Sequence, residues 1–140
     1  MEDNPGDIRL IREAVKECGQ HFELDSVMDG IQAMDFLFKR EAYTKSITPD
    51  LILLDLNLPK KDGRSVLKEI KSDPILRIIP VIILTISQAE EDILQCYNNH
   101  TNCYVTKPFE IEHLIQLIKS ITYFWFHVVS LPPRKELGNE

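Results

Sequence analysis

The chain has 140 residues, 44% of them hydrophobic, which is typical of a single globular domain with a substantial core. Its net charge of −6 disfavours nucleic acid as a partner, because nucleic-acid-binding surfaces are basic. No apolar run is long enough to span a bilayer and no secretory signal opens the chain. We therefore expect a cytoplasmic protein whose three cysteines are reduced.

The first part of the chain predicts two helices with one strand between them. An apolar stripe indicates a helix over residues 8–18, with Asp7 placed to cap it. Residues 22–27 alternate imperfectly and fit a strand better than a helix. Residues 31–39 predict the second helix, and the polar residues 41–48 predict a connection.

The rest of the chain alternates short strands with helices. Continuous apolar runs at residues 51–54 and 81–84 are typical of strands buried on both faces of a parallel sheet, and residues 103–105 predict a further short strand. The predicted helices cover residues 65–72, a segment that starts at residue 87 or 88, and residues 111–129. Such alternation predicts a parallel sheet with right-handed crossovers.

Polar side chains follow these strands at the points where the strands end. Asp55, Thr85 and Lys107 come at the carboxyl ends of three successive strands, which meet at one edge of a parallel sheet. Glu2 and Asp3 lie where a strand ahead of the first helix would end, at the same edge. Taken alone, Asp55 is equally a metal ligand, a nucleophile or a strand-end cap. The coincidence of all five residues favours a functional site.

The chemistry of this cluster is that of a phosphoryl acceptor. Three crowded carboxylates need a cation, and Mg²⁺ is the usual hard divalent ion in the cytosol. Lys107 is a point charge suited to a carboxylate or phosphoryl oxygen, and Thr85 donates one hydrogen bond. With charge on the transferred group neutralised, the Asp55 carboxylate is positioned to attack in line.

These residues together resemble the receiver domain of two-component response regulators. The resemblance covers residues 1–130, and we expect residues 131–140 to form a polar tail with no output domain. The similarity implies a flavodoxin-like, doubly wound parallel α/β sheet with strand order 2-1-3-4-5. It rests on an ordered set of positions, namely Glu2-Asp3-Asn4, Asp55, Asn57-Leu58-Pro59, Asp62-Gly63, Thr85 and Lys107-Pro108.

The resemblance implies a role for each acidic residue. Asp55 would be the phosphoacceptor. Mg²⁺ would be held by Asp3, by Glu2 directly or through water, by Asp55, and by the backbone carbonyl of Asn57.

The resemblance also implies a switch at the ends of the later strands. Thr85 would bind the phosphoryl oxygen, and Lys107 would pair with the phosphoryl group or with unmodified Asp55. The Lys107–Pro108 bond would be cis, aiming the lysine inward. Tyr104 would be the switch aromatic, buried or exposed according to the position of Thr85, although an ordinary edge-strand aromatic is the alternative.

The implied function is that of a single-domain response regulator. Such a protein accepts a phosphoryl group from a sensor histidine kinase, here one of phytochrome type, and signals through conformational change and protein contacts. It is no enzyme beyond its own phosphorylation and dephosphorylation. The alternatives are a phosphate sink, a phosphorylation-independent binding module, and an aspartyl-nucleophile phosphatase of the haloacid dehalogenase type. The phosphatase normally has a second aspartate where this chain has Asn57.

The last helix is apolar around more of its circumference than a one-faced helix requires. A wide core contact explains this, and so does a homodimer patch. The candidates for the patch are Phe124, Phe126 and Val129.

One element of the implied sheet is missing from the sequence. A strand needs about five residues, and only Met1 precedes the acidic pair. We expect the sequence to be a truncated form of a longer chain, for example through a misassigned start codon. If the chain does begin at Met1, we expect Glu2 and Asp3 to lie on a frayed terminus with weak metal binding.

Overall fold

The computed structural model describes residues 1–18 and 22–134, which contain a three-stranded parallel sheet. Its strands are β1 (Ile52–Leu54), β2 (Val81–Thr85) and β3 (Cys103–Thr106), in that spatial order. The helices are α1 (Pro5–Lys16), α2 (Gly30–Leu37), α3 (Gly63–Ser72), α4 (Glu90–Asn98) and α5 (Ile111–Tyr123), and short 3-10 helices cover Glu41–Tyr43 and Leu76–Ile78. The predicted strands after residue 50 and the predicted parallel pairing are therefore confirmed.

Helices cover both faces of the sheet. On one face, α2 and α3 pack against residues of β1 and β2 such as Leu54 and Ile83. On the other face, α1 and α5 pack around Leu84. All five residues of β2 are buried. This double covering explains why β1 and β2 are continuous apolar runs rather than alternating ones.

Helix α1 begins earlier than the apolar stripe predicted. Its cap is Asn4, whose side-chain oxygen accepts a hydrogen bond from the Asp7 backbone N–H at 3.1 Å. Pro5 follows at the first helical position, where no backbone donor is needed. The prediction that Asp7 caps the helix was wrong, and its carboxylate is free for another contact.

Residues 22–27 were predicted to form a strand, but the structure assigns them neither helix nor strand. The hydrogen bond from the Glu2 N–H to the Val27 carbonyl, at 3.0 Å, ties the end of this segment to the N-terminus. A strand needs a continuous series of backbone hydrogen bonds with a neighbouring strand. Residues 1 and 2 supply only the last of these bonds, at Val27. The order 2-1-3-4-5 is thus visible only in its last three strands.

Met1 itself pairs with the edge of β1. Its amine donates to the Leu53 carbonyl at 3.0 Å, and its carbonyl accepts from the Asp55 N–H at 3.1 Å. Together with the hydrogen bond from Glu2 to Val27, these contacts make the first two residues a bridge between residues 22–27 and β1. The expectation of a frayed terminus is therefore wrong, because backbone hydrogen bonds fix the acidic pair on both sides.

A cavity of about 520 Å³ lies next to Met1, and residues 22–27 and 49–55 form part of its wall. Its lining is mainly apolar and includes Ile11, Val15, Leu24, Leu53, Leu84 and Ile121. Because Met1 fits between the two segments with hydrogen bonds to one of them, the gap at that end is one strand wide.

Beyond α5 the chain continues as a π-helical segment, Phe124–Val128. Phe126 turns inward and lies 4.5 Å from Phe22 between ring centroids, whereas Phe124 is exposed. Residues 131–134 leave this segment, and Arg134 pairs with Asp50 at 2.6 Å. The remainder of the predicted tail, residues 135–140, lies outside the described residues. Across the described ranges no helix combines the length and hydropathy needed to cross a membrane.

Candidate functional site

Asp55 lies directly after β1, at the carboxyl edge of the sheet, and is only 6% exposed. Its Oδ1 accepts a hydrogen bond from the Asn57 N–H at 3.0 Å, which orients the carboxylate. The loop beyond it closes tightly, since the Gly63 N–H donates to the Leu56 carbonyl at 2.9 Å. A Cβ at Gly63 would lie 2.2 Å from the Asp55 carbonyl oxygen, so any larger residue there displaces the loop.

Three carboxylates from two parts of the chain meet at this edge. Glu2, Asp3 and Asp55 each offer one oxygen, and these oxygens all lie within 4.8 Å of one another. Glu2 and Asp55 are buried, whereas Asp3 is exposed. A buried set of carboxylate oxygens open to solvent on one side has the composition that Mg²⁺ and Mn²⁺ prefer. The predicted acidic cluster is therefore formed.

Lys107 is the cation of this site and is only 7% exposed. Its Nζ donates to Glu2 Oε1 at 2.5 Å, to Asp7 Oδ2 at 3.0 Å and to Asp55 Oδ2 at 3.2 Å. Its backbone N–H donates to the Thr85 carbonyl at 2.7 Å, which extends the β2–β3 ladder by one residue. The predicted cis bond to Pro108 was wrong: the bond is trans, and the lysine still reaches Asp55.

At this site, burial and the neighbouring charges shift the pKa values of Lys107 and Glu2 in opposite directions. Burial lowers the pKa of Lys107, but its hydrogen bonds to Glu2 and Asp7 outweigh this effect and the pKa is raised above its ordinary value. Burial raises the pKa of Glu2, partly offset by the hydrogen bond from Lys107. Burial also lowers the pKa of the Met1 amine to about 6. The lysine is thus the permanently charged group of the cluster.

Thr85 ends β2, next to β1 in the sheet, and is fully buried. Within residues 1–18 and 22–134, its Oγ1 is the one buried side-chain polar atom without a hydrogen-bond partner. An unpaired buried hydroxyl costs about 1–3 kcal/mol. A ligand oxygen at this edge would supply the missing partner.

Tyr104 lies on β3 and is partly buried. Its hydroxyl donates to the Ser87 carbonyl at 2.9 Å, and burial raises its pKa. Ser87 comes two residues after Thr85, so the loop that follows the unpaired hydroxyl is tied directly to the tyrosine. The prediction that Tyr104 changes position with Thr85 stays a prediction.

Two features of the site were not predicted from the sequence. Asp7 contacts Lys107, although its place beside a helix start indicated only a cap. A second ion pair joins Arg64, near the start of α3, to Asp92 in the first turn of α4. The acidic residues in the stretch 2–7 could have indicated the contact between Asp7 and Lys107. Nothing in the spacing of Arg64 and Asp92 indicates that they form an ion pair.

Comparison with known proteins identifies the family of this chain. The family model for the response regulator receiver domain matches residues 1–119. The response regulator Rcp1 of Synechocystis is 46% identical over 132 residues, which cover 94% of this chain and 90% of that protein.

Two solved structures superpose closely on this one. The phosphorylated cyanobacterial phytochrome response regulator RcpA is 50% identical, with a TM-score of 0.92 and 95% of each chain covered. The Mn²⁺-bound form of Rcp1 is 46% identical, with a TM-score of 0.92 and 95% of this chain and 96% of that chain covered. The fold is therefore the flavodoxin-like receiver fold, and the match favours this class over an aspartyl-nucleophile phosphatase. The chain belongs to the response regulator receiver family.

Proposed function

We propose that this protein accepts a phosphoryl group on Asp55 from a phosphohistidine of a sensor histidine kinase. The carboxylate oxygen attacks phosphorus, the N–P bond breaks, and the histidine nitrogen leaves and takes up a proton. The observation that carries the proposal is the burial of Asp55 in direct contact with Lys107, within 4.8 Å of the oxygens of Glu2 and Asp3. Any catalysis is limited to this acceptance and to later hydrolysis of the acyl phosphate.

The acidic residues suit a divalent metal ion. Glu2, Asp3 and Asp55, with the backbone carbonyl of Asn57, would hold Mg²⁺. When bound, the ion supplies positive charge for the oxygens of the transferred group. Lys107 supplies a second positive charge at the same oxygens, and its present bonds to Glu2, Asp7 and Asp55 keep it at the site.

Thr85 and Tyr104 are proposed to convert phosphorylation into a change of shape. The unpaired Thr85 hydroxyl would donate to a phosphoryl oxygen, which removes the cost of its burial. A displacement of Thr85 reaches Tyr104 through the Ser87 carbonyl.

Phosphorylation is tested by incubating the protein with Mg²⁺ and acetyl phosphate and measuring phosphoprotein by mass spectrometry. We expect labelling of the parent protein and of Asp50→Asn, a matched control whose carboxylate pairs with Arg134 outside the site. We expect no label on Asp55→Asn, nor on the parent protein in excess EDTA. Equal labelling of Asp55→Asn and the parent protein would show that Asp55 is not the acceptor.

A kinase of phytochrome type is the proposed partner, because the relatives RcpA and Rcp1 include a phytochrome response regulator. The proposed compartment is the cytoplasm, where such kinases present phosphohistidine. The net charge of −6 argues against nucleic acid as a partner. Phosphotransfer from a phytochrome-type kinase should exceed transfer from a kinase of another sensor class, and equal rates would refute the preference.

A second copy of the chain is proposed as a further partner, through the end of the last helix. Phe124 is exposed, as are its neighbours Tyr123 and Val128, and Val129 is partly exposed. Phe126 is also partly exposed, although one side of its ring packs on Phe22. Sedimentation with and without beryllofluoride tests the dimer, and a monomer at high concentration in both conditions would refute it.

A further inference from the structure

Asp7 lies in the first turn of α1 and reaches across to the end of β3. Because Asn4 caps the helix, the Asp7 carboxylate is available for a contact with another element. Its Oδ2 accepts a hydrogen bond from Lys107 Nζ at 3.0 Å. The Asp7 and Lys107 side chains are 22% and 8% exposed, so water and salt screen this ion pair less than one on the surface.

Lys107 has two further carboxylate partners. Its Nζ donates to Glu2 Oε1 at 2.5 Å and to Asp55 Oδ2 at 3.2 Å. Glu2 and Asp55 also belong to the group of carboxylates whose oxygens all lie within 4.8 Å of one another. Asp7 lies outside that group, which was sought among residues 1–18 and 22–134. Of the three partners of the lysine, Asp7 is thus the one that the candidate metal site does not use.

The Lys107 ammonium and a divalent cation would therefore bind the same two carboxylates. Two positive charges at this separation repel each other, and a carboxylate that already holds the ammonium attracts the cation less. A third carboxylate outside the metal group attracts the ammonium without taking a ligand from the cation. Its presence therefore favours binding of the cation.

We propose that Asp7 is a positioning residue that draws the Lys107 ammonium towards itself and so leaves Glu2 and Asp55 available to a divalent cation. This inference rests on the proposed function, since it concerns the metal site of the phosphoryl acceptor. Asp7 acts through Lys107 and is not itself a metal ligand.

The test is titration of the full chain with Mn²⁺, whose free form is measured by electron paramagnetic resonance. We expect Asp7→Asn, which keeps the shape of the side chain and removes its charge, to raise the Kd about three- to tenfold, the range for loss of a partly buried charged hydrogen bond. Glu13→Gln is the matched control, because Glu13 lies on the same helix, is 55% exposed and pairs with Arg9. It removes an equal charge and should leave the Kd unchanged.

A second background separates the role of the lysine from that of charge alone. In Lys107→Met no ammonium competes for Glu2 and Asp55, so adding Asp7→Asn should change the Kd by less than about twofold. An equal rise in both backgrounds would show that Asp7 acts only as a nearby negative charge, which overturns the inference. An unchanged Kd in Asp7→Asn alone would overturn it as well, whether or not the melting temperature falls.

NMR of the Lys107 ammonium provides a measurement in which the lysine is kept. In Mg²⁺-saturated protein the protons on Nζ should exchange slowly with water in the parent protein, because Asp7 still accepts a hydrogen bond. They should exchange rapidly in Asp7→Ala, which removes the acceptor. Rapid exchange in the parent protein as well would contradict the inference, whereas failure of the parent protein to bind Mn²⁺ at all would overturn the metal site of the proposed function.

Discussion

The Thr85 hydroxyl is buried without a hydrogen-bond partner, and its proposed role is to bind a phosphoryl oxygen. Thr85 Oγ1 is buried without a partner at the edge where Asp55 and Lys107 meet. We predict that Thr85→Val, which keeps the shape and removes the hydroxyl, raises the free energy of unfolding by about 1 kcal/mol. The same variant should bind beryllofluoride at least several-fold more weakly. Urea unfolding and titration check the two effects, and a loss of stability with unchanged binding would contradict this role.

The Met1 amine gives the protein a pH dependence near neutrality. Its pKa is about 6 in the folded protein and 8.0 in its ordinary state, so unfolding takes up a proton between these values. Stability should therefore rise with pH, by about 2–3 kcal/mol between pH 6 and pH 8. Denaturant unfolding at both pH values measures the increase. N-terminally acetylated protein is the control, since it shares the histidines but lacks the amine, and an equal increase there would contradict the assignment.

At the scale of elements, Lys71 joins three segments that are distant in sequence. From the last turn of α3, its Nζ donates to the carbonyls of Arg77 and Ile79 and to Asn102 Oδ1, at 2.8–3.1 Å. The same Asn102 oxygen accepts from the Val81 N–H that opens β2. We predict that Lys71→Met lowers the free energy of unfolding by about 1–2 kcal/mol, because these acceptors lose a charged donor.

Lys68→Met is the matched control for that change, since Lys68 is an exposed lysine on the same helix. Its effect should stay within about 0.5 kcal/mol. Equal effects of the two substitutions in chemical denaturation would show that the Lys71 contacts contribute nothing beyond general helix chemistry.

At the scale of the whole molecule, a cavity of about 520 Å³ lies beside β1. Backbone groups of a parallel strand point alternately to its two sides. Ile52 pairs with Pro80, and the Leu53 carbonyl pairs with Met1 on the opposite side. The N–H of Leu53 therefore faces the cavity, in a position to receive a neighbouring strand.

We predict that fusing about five apolar β-branched residues ahead of Met1 raises the free energy of unfolding by about 2–4 kcal/mol. Burial of these side chains and new ladder hydrogen bonds should exceed the entropy lost on ordering them. Denaturant unfolding measures the gain. A fusion of equal length built from Gly and Ser is the control, and an equal gain from it would show that the cavity does not receive a strand.

The sequence by itself determined where the chemistry lies. Asp55, Thr85 and Lys107 were predicted because an apolar run and the residue that ends it are neighbours in the chain. Parallel strands bring such ends to one edge whatever the details of packing. Glu2 and Asp3 were placed at the same edge because they lie where a strand ahead of the first helix would end. That this terminus is held in place was not predicted, since it depends on two backbone hydrogen bonds between Met1 and residues 53 and 55.

Only the tertiary structure decided which side chains meet across elements. The contact of Asp7 with Lys107 and the Arg64–Asp92 pair join residues far apart in the chain. The ring contact of Phe126 with Phe22 likewise joins residues that are far apart in the chain. Hydrophobic periodicity gives the face of an element but not the rotation and distance at which two elements pack. The lengths and directions of individual side chains at those contacts then select the partners.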